Sequence, residues 1–320
     1  MVTALKVVVT DPIVSRFERQ FRQLLPEYDW HFVAGFSPLE QSAHIVNAEV
    51  LVCARLSAQD AQRCQARLVH VTGSGTDRVA LASLPSTTTV ATTSHHEQSI
   101  AEHILMVIMA HERRLFQVSE ELKAGPWRSV ATDASVPMFR TFKDLTIGFV
   151  GLGGIGARAL DAVSALGAKS VAVRRSVPRH PMSNENLLWT KPMDHLPELL
   201  ECSDVVILCL PLTAETTGLI SSTEFKRMRS DAFLVNVSRG PIIDSQSLLD
   251  ALDQSLIAGA ALDVWWDAPM GSVAPALTQR LAADPRVIAT PHYSGHANET
   301  FVSRVQEICS NIREFTAVSA

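Results

Sequence analysis

The chain has 320 residues, of which 47% are hydrophobic and 19% charged, and its formal net charge is −5. That length suggests two domains, and that composition supplies ample apolar surface for buried cores, which excludes a disordered chain. The acidic balance gives no general attraction to nucleic acid, and no apolar run approaches the length that spans a bilayer, so neither a nucleic acid nor a membrane is expected as a partner.

The first residues run straight into a short apolar strand, Leu5–Val9, without the layout of a secretory signal. Five cysteines (Cys53, Cys64, Cys202, Cys209, Cys309) are scattered with no C-x-x-C pair. Both features fit free thiols in a reducing cytoplasm, and no metal site is expected. Further strands are predicted at Trp30–Ala34, Val50–Cys53 and Leu68–Thr72, separated by the stretches Ile13–Leu24 and Pro38–Asn47. Such alternation implies a parallel sheet covered on both faces. A helix is predicted from about Gln98 to Lys123, where Ile100, Ile104, Val107, Ile108, Leu115 and Leu122 recur near helical spacing, and Gly125-Pro126 ends it. The segment Trp127–Phe142 carries few periodic signals.

An apolar run, Thr146–Val150, then stops at Gly151-Leu152-Gly153-Gly154-Ile155-Gly156, and a helical pattern starts at once. This is G-x-G-x-x-G after a strand and opening a helix, the setting in which it binds dinucleotides. The first glycine makes the tight turn, the second lets backbone approach a pyrophosphate, and the third lets helix pack on strand. With Ser170–Val173, Val205–Leu210, Phe233–Asn236, Gly259–Leu262 and Val287–Ala289, six strands fit a doubly wound sheet. A single helix, Glu299–Thr316, follows and is expected to return to the first domain. The substrate domain would then be discontinuous, 1–96 with 292–320, around a nucleotide-binding domain at 97–291, with the active site in the cleft between them.

Three later segments sharpen the reading: Leu208–Ile220 (LCLPLTAETTGLI), Leu234–Pro241 (LVNVSRGP) and Ala289–Gly295 (ATPHYSG). Together with the glycine loop, their order and spacing resemble the D-2-hydroxyacid dehydrogenase family, which also holds NAD-dependent formate and phosphite dehydrogenases. The resemblance implies two doubly wound parallel-sheet α/β domains: a Rossmann nucleotide-binding domain, and a flavodoxin-like discontinuous substrate domain.

Reduction of a 2-keto acid needs a grip on the carboxylate, a positive group at the ketone and a proton donor for the developing alkoxide. Arg239 follows a strand end, and its fork of donors suits a carboxylate or carbonyl. His292 also follows a strand end, after Pro291, and histidine titrates near neutrality. The family's proton donor matches His292. The family's third catalytic residue, a glutamate or glutamine that orients this histidine, falls on Ala268, beside Asp267. Either Asp267 substitutes through a shifted loop or the histidine works unpaired.

The family's carboxylate-binding loop matches Thr72-Gly73-Ser74-Gly75-Thr76-Asp77, with the backbone of Ser74 and Gly75 as the contacts. His96 lies where the formate enzymes carry an asparagine facing substrate, and could add a donor there. Glu102 and His103 read as structural.

NAD-binding versions of the fold place an acid about 20 positions past the glycines. Here the chain reads Arg174-Arg175-Ser176, which suits a 2′-phosphate. NADP(H) is therefore expected over NAD(H), as in the NADPH-preferring glyoxylate/hydroxypyruvate reductases, with NAD(H) still possible. Val237 through its carbonyl, and Asp263, match the family's carboxamide contacts; Pro211 lines the cofactor, and Asn236 is a weaker candidate. The expected activity is reduction of a small 2-keto acid to a D-2-hydroxy acid by a cytoplasmic homodimer. Two alternatives stay open: a formate- or phosphite-type dehydrogenase, suggested by Asp263-Val264-Trp265-Trp266, and a nucleotide-sensing module without turnover, suggested by Ala268.

Overall fold

The computed structural model describes residues 4–176, 184–267 and 273–319. The chain divides into two compact units, Met1–His96 with His296–Ala320 and Glu97–Gly295.

The first unit is built on five strands, β1 (Lys6–Val9), β2 (Asp29–Phe32), β3 (Val50–Cys53), β4 (Leu68–Val71) and β5 (Thr89–Ala91). All pair in parallel, in the order β2-β1-β3-β4-β5. Helices α1 (Glu18–Leu24), α2 (Pro38–Val46) and α3 (Ala58–Arg63) connect them. Successive side chains of β3 go to opposite faces: Val50 and Val52 join one apolar cluster, Leu51 and Cys53 the other. A strand covered on both faces reads as an unbroken apolar run. Helix α2 starts where Ser37 and Glu40 cap each other reciprocally, with Pro38 in the first turn. Strand β5 was not expected; it lies at the sheet edge, and Thr89 and Val90 are exposed.

The second unit opens with α4 (Glu97–Glu112) and α5 (Leu115–Lys123). The sequence predicts one continuous helix here. The break falls at Arg114, whose left-handed backbone (φ 48°) ends the first helix without a glycine or proline to announce it. No residue of α5 is buried, so no core contact holds it on the axis of α4. Then follow β6 (Thr146–Val150), α6 (Gly154–Ala165), β7 (Lys169–Val173), β8 (Leu187–Lys191), α7 (Leu196–Cys202), β9 (Val205–Leu208), α8 (Ser222–Phe225), β10 (Phe233–Asn236), α9 (Ser245–Asp253), β11 (Gly259–Leu262), α10 (Ala276–Ala282) and β12 (Val287–Ala289). The strands form one parallel sheet in the order β12-β11-β10-β9-β6-β7-β8, a seventh strand, β8, joining the six expected. Ile147 and Phe149 of β6 pack with Ile100, Ile104 and Leu160, while Val150 packs on the opposite face with Leu199 and Leu208. Each such buried side chain contributes roughly 1.5–3 kcal/mol. Gly148 sits where a β-carbon would lie 2.3 Å from Ser203 Oγ, so the close approach of α7 requires glycine. At the far end of the sheet, the buried Asp204 carboxylate accepts the Thr146 N–H and an Arg140 N–H, both at 2.8 Å, and Arg140 also holds Glu112.

The last helix, α11 (Asn298–Ser319), returns to the first unit, where Phe301, Val305, Ile308 and Ile312 complete the cluster around Val7, Val50 and Trp30. The return falls after Gly295 rather than at 292, so His292 belongs to the second unit. The reason is local: hydrogen bonds described below fasten residues 290–294 to the end of β11. Both units are doubly wound, and the fold is a Rossmann domain with a flavodoxin-like partner. Among the described residues no helix is long and apolar enough to cross a membrane.

His70 of β4 gives a pH prediction. It is fully buried, with Nδ1 3.1 Å from the Val71 carbonyl and Nε2 accepting from Asn311 at 3.0 Å. Burial pushes its pKa down to about 4, so the ring folds neutral. An unfolded histidine titrates near 6.5. Below that pH the unfolded chain takes up a proton that the folded chain refuses. Stability is therefore whole above about pH 6.5 and falls as the pH drops toward 4, by up to roughly 3 kcal/mol from this group. Replacing His70→Gln should flatten the dependence of the denaturant midpoint on pH between 6.5 and 4; an unaltered slope would show that His70 does not carry it.

Candidate active site

The chemistry-bearing residues of the second unit sit just past the C-terminal ends of its parallel strands, where loops rather than packed side chains fill the surface. After β6, Gly151 takes a left-handed φ of 93°, and a β-carbon there would lie 2.6 Å from the Cys209 carbonyl oxygen. A β-carbon on Gly156 would meet the Gly151 carbonyl at 2.8 Å. These two glycines are required by the protein's own packing. Gly153 differs: apart from its chain neighbours, no atom of the described residues lies within 4 Å of where its β-carbon would be. The loop is thus open at the one glycine that the dinucleotide motif reserves for a pyrophosphate. Beside it the N-terminus of α6 presents Gly154, Ile155 and Gly156, whose first-turn N–H groups suit an anion. The residues fit a dinucleotide.

At the end of β7, Arg174 is half-buried, while Arg175 and Ser176 are exposed. Glu215 lies within electrostatic reach of Arg175, its carboxyl held below the usual range chiefly by the Thr213 hydroxyl. Pro211, past β9, is exposed.

The turn after β10 is built by Asn236. Fully buried, its side chain accepts the Ser238 N–H and donates to the Arg239 carbonyl, both at 3.0 Å. Its amide is spent on shaping the turn, which makes it a support for Arg239. Ser238 links the ends of β9 and β10, donating to Leu208 O at 2.8 Å and accepting from Leu210 N–H at 2.9 Å. Val237 is buried, and Arg239 is half-buried, its Nη1 donating to the Ser238 carbonyl at 2.8 Å. Gly240 passes so close to Trp265 that a β-carbon would lie 2.3 Å from that residue's carbonyl carbon.

Asp263, at the end of β11, is almost wholly buried. One carboxylate oxygen accepts from Thr290 Oγ1 at 2.6 Å and from Tyr293 N–H at 3.0 Å. The other accepts the Ser294 N–H at 3.1 Å and the Ser294 hydroxyl. Four donors fill the lone-pair sites of an ionised carboxylate. Two more side chains hold the same segment: Trp265 Nε1 donates to Thr290 O at 2.9 Å, and Ser99 Oγ to Ser294 O at 2.6 Å. In the middle His292 is half-buried with a left-handed φ of 57°, a strained conformation for a residue with a β-carbon. His103, from α4, meets the Tyr293 ring edge-on at 5.9 Å, and burial holds its pKa below the usual histidine range.

Asp267 is exposed. Ala268 lies outside the described residues. Among the described residues no group of three or more His, Cys, Asp or Glu could hold a metal ion.

In the first unit the loop after β4 carries exposed Ser74 and half-buried Gly75. Its base is tied down by Thr72, whose hydroxyl donates to the buried Asp11 carboxylate. Asp11 also accepts the Ile13 N–H at 2.7 Å. Buried His96 lies with Nε2 3.5 Å from Ser74 Oγ.

The supporting residues Asp11, Ser99, Trp265, Thr290 and Ser294 were not singled out from sequence. Each works through a partner remote in the chain, which no local pattern marks.

Residues 105–294 match the family model described as D-isomer specific 2-hydroxyacid dehydrogenase, NAD binding domain. Glyoxylate/hydroxypyruvate reductase B of Escherichia fergusonii is 33% identical over 206 residues, 63% of this chain and 60% of that protein. The alignment thus spans less than two thirds of the relative's length. D-lactate dehydrogenase from Aquifex aeolicus, solved with NAD and lactic acid, superposes with a TM-score of 0.83 at 22% identity, over 97% of this chain and 95% of that one. An acyclic imino acid reductase solved with NADPH and D-Arg gives 0.80 at 20% identity, over 98% and 97% of the two chains.

The Asp263 cluster carries a direct test. Asp263→Asn keeps the shape but turns one of the two acceptor oxygens into an NH2 donor, which then faces either the Ser294 donors or those of Thr290 and Tyr293. Loss of charge-assisted bonds should cost roughly 1.5–3 kcal/mol. Amide hydrogen exchange at Tyr293 and Ser294 should rise sharply. Unchanged exchange at both amides would show that the segment is held by other means.

Proposed function

The chain belongs to the D-isomer specific 2-hydroxyacid dehydrogenase family, and on that premise we propose that it reduces a small 2-keto acid, of the glyoxylate or hydroxypyruvate kind, to a D-2-hydroxy acid at the expense of NADPH. The supporting observation is that Arg239 and His292 each follow a strand end of the sheet whose β6 carries the open glycine loop. A bound nicotinamide supplies the hydride. The Arg239 guanidinium orients the acid and stabilises charge growing on the ketone oxygen. His292 delivers a proton to that oxygen. The Ser74 and Gly75 backbone grips the carboxylate, with His96 as a further donor. Asp267 is the proposed orienting partner of the His292 ring, in place of the residue that Ala268 replaces.

Gly151, Gly153, Gly154, Ile155 and Gly156 are assigned to the pyrophosphate. Arg174, Arg175 and Ser176 are assigned to the 2′-phosphate, and Pro211 to the cofactor's wall. The carboxamide is assigned to the Val237 carbonyl and to Asp263, which must then share an oxygen with Thr290 or Ser294. Free cysteines fit a reducing compartment, and the cytoplasm is the proposed location.

We also propose a homodimer formed through the nucleotide-binding unit. Helix α5 buries none of its own side chains, and Leu115, Phe116, Leu122 and Trp127 are all more than half exposed, Trp127 at 74%. An apolar surface of this extent marks an association site.

Two measurements test these readings. NADPH and NADH oxidation should be followed in parallel with glyoxylate, hydroxypyruvate and pyruvate. Turnover should favour NADPH, and Arg174→Asp should lower the NADPH-to-NADH ratio of kcat/KM by about tenfold or more, as expected for loss of a charge-assisted pair. An unchanged ratio would remove the arginines from the cofactor site, and cofactor binding without turnover on any acid would favour the sensing module. Separately, Phe116→Asp with Trp127→Asp should halve the mass read by light scattering while leaving the fold intact; a single mass for both proteins would reject this surface as the dimer contact.

A further inference from the structure

In the first unit, the stretch Thr93–His96 is fastened to α11 by two residues one helical turn apart. The Thr93 hydroxyl donates to the Glu307 carboxylate, and His95 Nε2 lies 3.0 Å from the same carboxylate. Arg304 Nε donates to the Ser94 carbonyl at 2.8 Å, and its Nη2 lies 2.8 Å from His96 Nδ1. Between these anchors His95 takes a left-handed φ of 67°. Such a conformation persists in a residue with a β-carbon only where its surroundings hold it, and it gathers at functional sites.

The contact between Arg304 and His96 fixes more than position. A guanidinium has donors and no acceptor, so Nδ1 of His96 must accept. The ring is then a neutral imidazole whose proton sits on Nε2, the nitrogen that faces Ser74 Oγ. The 93–96 stretch therefore presents an N–H to the loop that carries Ser74 and Gly75.

We propose that Arg304 is a positioning residue that sets His96 as an Nε2–H donor, and that His96 gives this hydrogen bond to the carboxylate of the acid bound at the Ser74–Gly75 loop. This rests on the assignment of that loop to the substrate carboxylate. Arg304 touches no substrate; it acts through the imidazole, and Glu307 holds the neighbouring turn so that the ring cannot swing away.

Two readouts separate the clamp from the carboxylate. Nitrogen NMR of protein labelled with 15N-histidine, with His96→Gln for assignment, should show the His96 ring neutral and protonated on Nε2; Arg304→Leu should abolish that single state. A wild-type ring protonated on Nδ1 would overturn the clamp. The second readout is binding of oxamate, a non-reducible isostere of a 2-keto acid, to the NADPH-loaded enzyme. His96→Leu and Arg304→Leu should each weaken oxamate by about tenfold or more, the loss expected for a hydrogen bond to a charged group. NADPH affinity should not change. The double variant should be no weaker than His96→Leu, because residues acting through one another are not additive. Arg304→Lys, which keeps one donor and guards against misfolding of the leucine variant, should recover part of the loss. Equal oxamate affinity in His96→Leu and wild type overturns the carboxylate role while the 2-keto acid reading stands. Wild-type protein that binds NADPH but not oxamate overturns that reading, and the carboxylate role with it, leaving the tautomer to be judged by NMR alone.

Discussion

The organisation of the nucleotide-binding unit depends on one buried carboxylate. Asp263 is 1% exposed, and an ionised carboxyl in that position has lost its water. Four donors from residues 290–294 replace it. An unpaired buried charge would be prohibitive, whereas a fully satisfied one is rigid and specific. The bonds continue in both directions. Asp263 N–H donates to the Asn236 carbonyl, and the Asn236 side chain donates to the Arg239 carbonyl. An unbroken line of hydrogen bonds thus joins the backbone of Arg239 to the segment that carries His292, although the two residues lie on separate loops.

Parallel sheets make this arrangement natural. The central strands of the unit are covered on both faces, so their interiors are almost wholly apolar. Polar groups can be gathered where the strands end, and that is where Asn236, Ser238, Asp263 and Ser294 are buried. The glycines obey the same geometry. Gly151, Gly156 and Gly240 are forced by close approach of backbone to backbone, whereas Gly153 faces open space. A single motif therefore combines packing glycines with one whose only evident use lies outside the protein.

The central strands were legible in the sequence because burial on both faces leaves an uninterrupted run such as Val50–Cys53 or Val205–Leu208. The edge strands β5 and β8 were not. Thr89–Ala91 and Leu187–Lys191 are partly exposed and mix polar with apolar residues, so neither period stands out. The break at Arg114 was equally hidden, since a left-handed arginine has no sequence signature. Arg239, His292 and the glycine loop could be read because strand-end motifs are local. Their supports could not. Thr290 and Ser294 matter through Asp263, 27 and 31 positions away, and Arg304 through His96, 208 positions away. Such pairings are made by topology, and a single sequence contains no period that announces them.

The same distinction bears on His292. The chain carries Ala268 where related enzymes place an orienting carboxylate or amide, and Asp267 is exposed. What the fold does supply is main-chain control. The carbonyl of Thr290 is held by the Trp265 indole, and the carbonyl of Ser294 by the Ser99 hydroxyl. The N–H groups of Tyr293 and Ser294 are held by Asp263. With both sides of the turn anchored, the left-handed backbone of His292 is over-determined, and the direction of its β-carbon is set by the main chain, whatever the ring contacts. A carboxylate beside an imidazole does two things: it aims the ring, and it stabilises the ring's charged form. Main-chain anchoring achieves part of the first and none of the second. In this chain, therefore, the anchored main chain fixes where the His292 ring starts from, and tuning of the ring's charge falls to other groups.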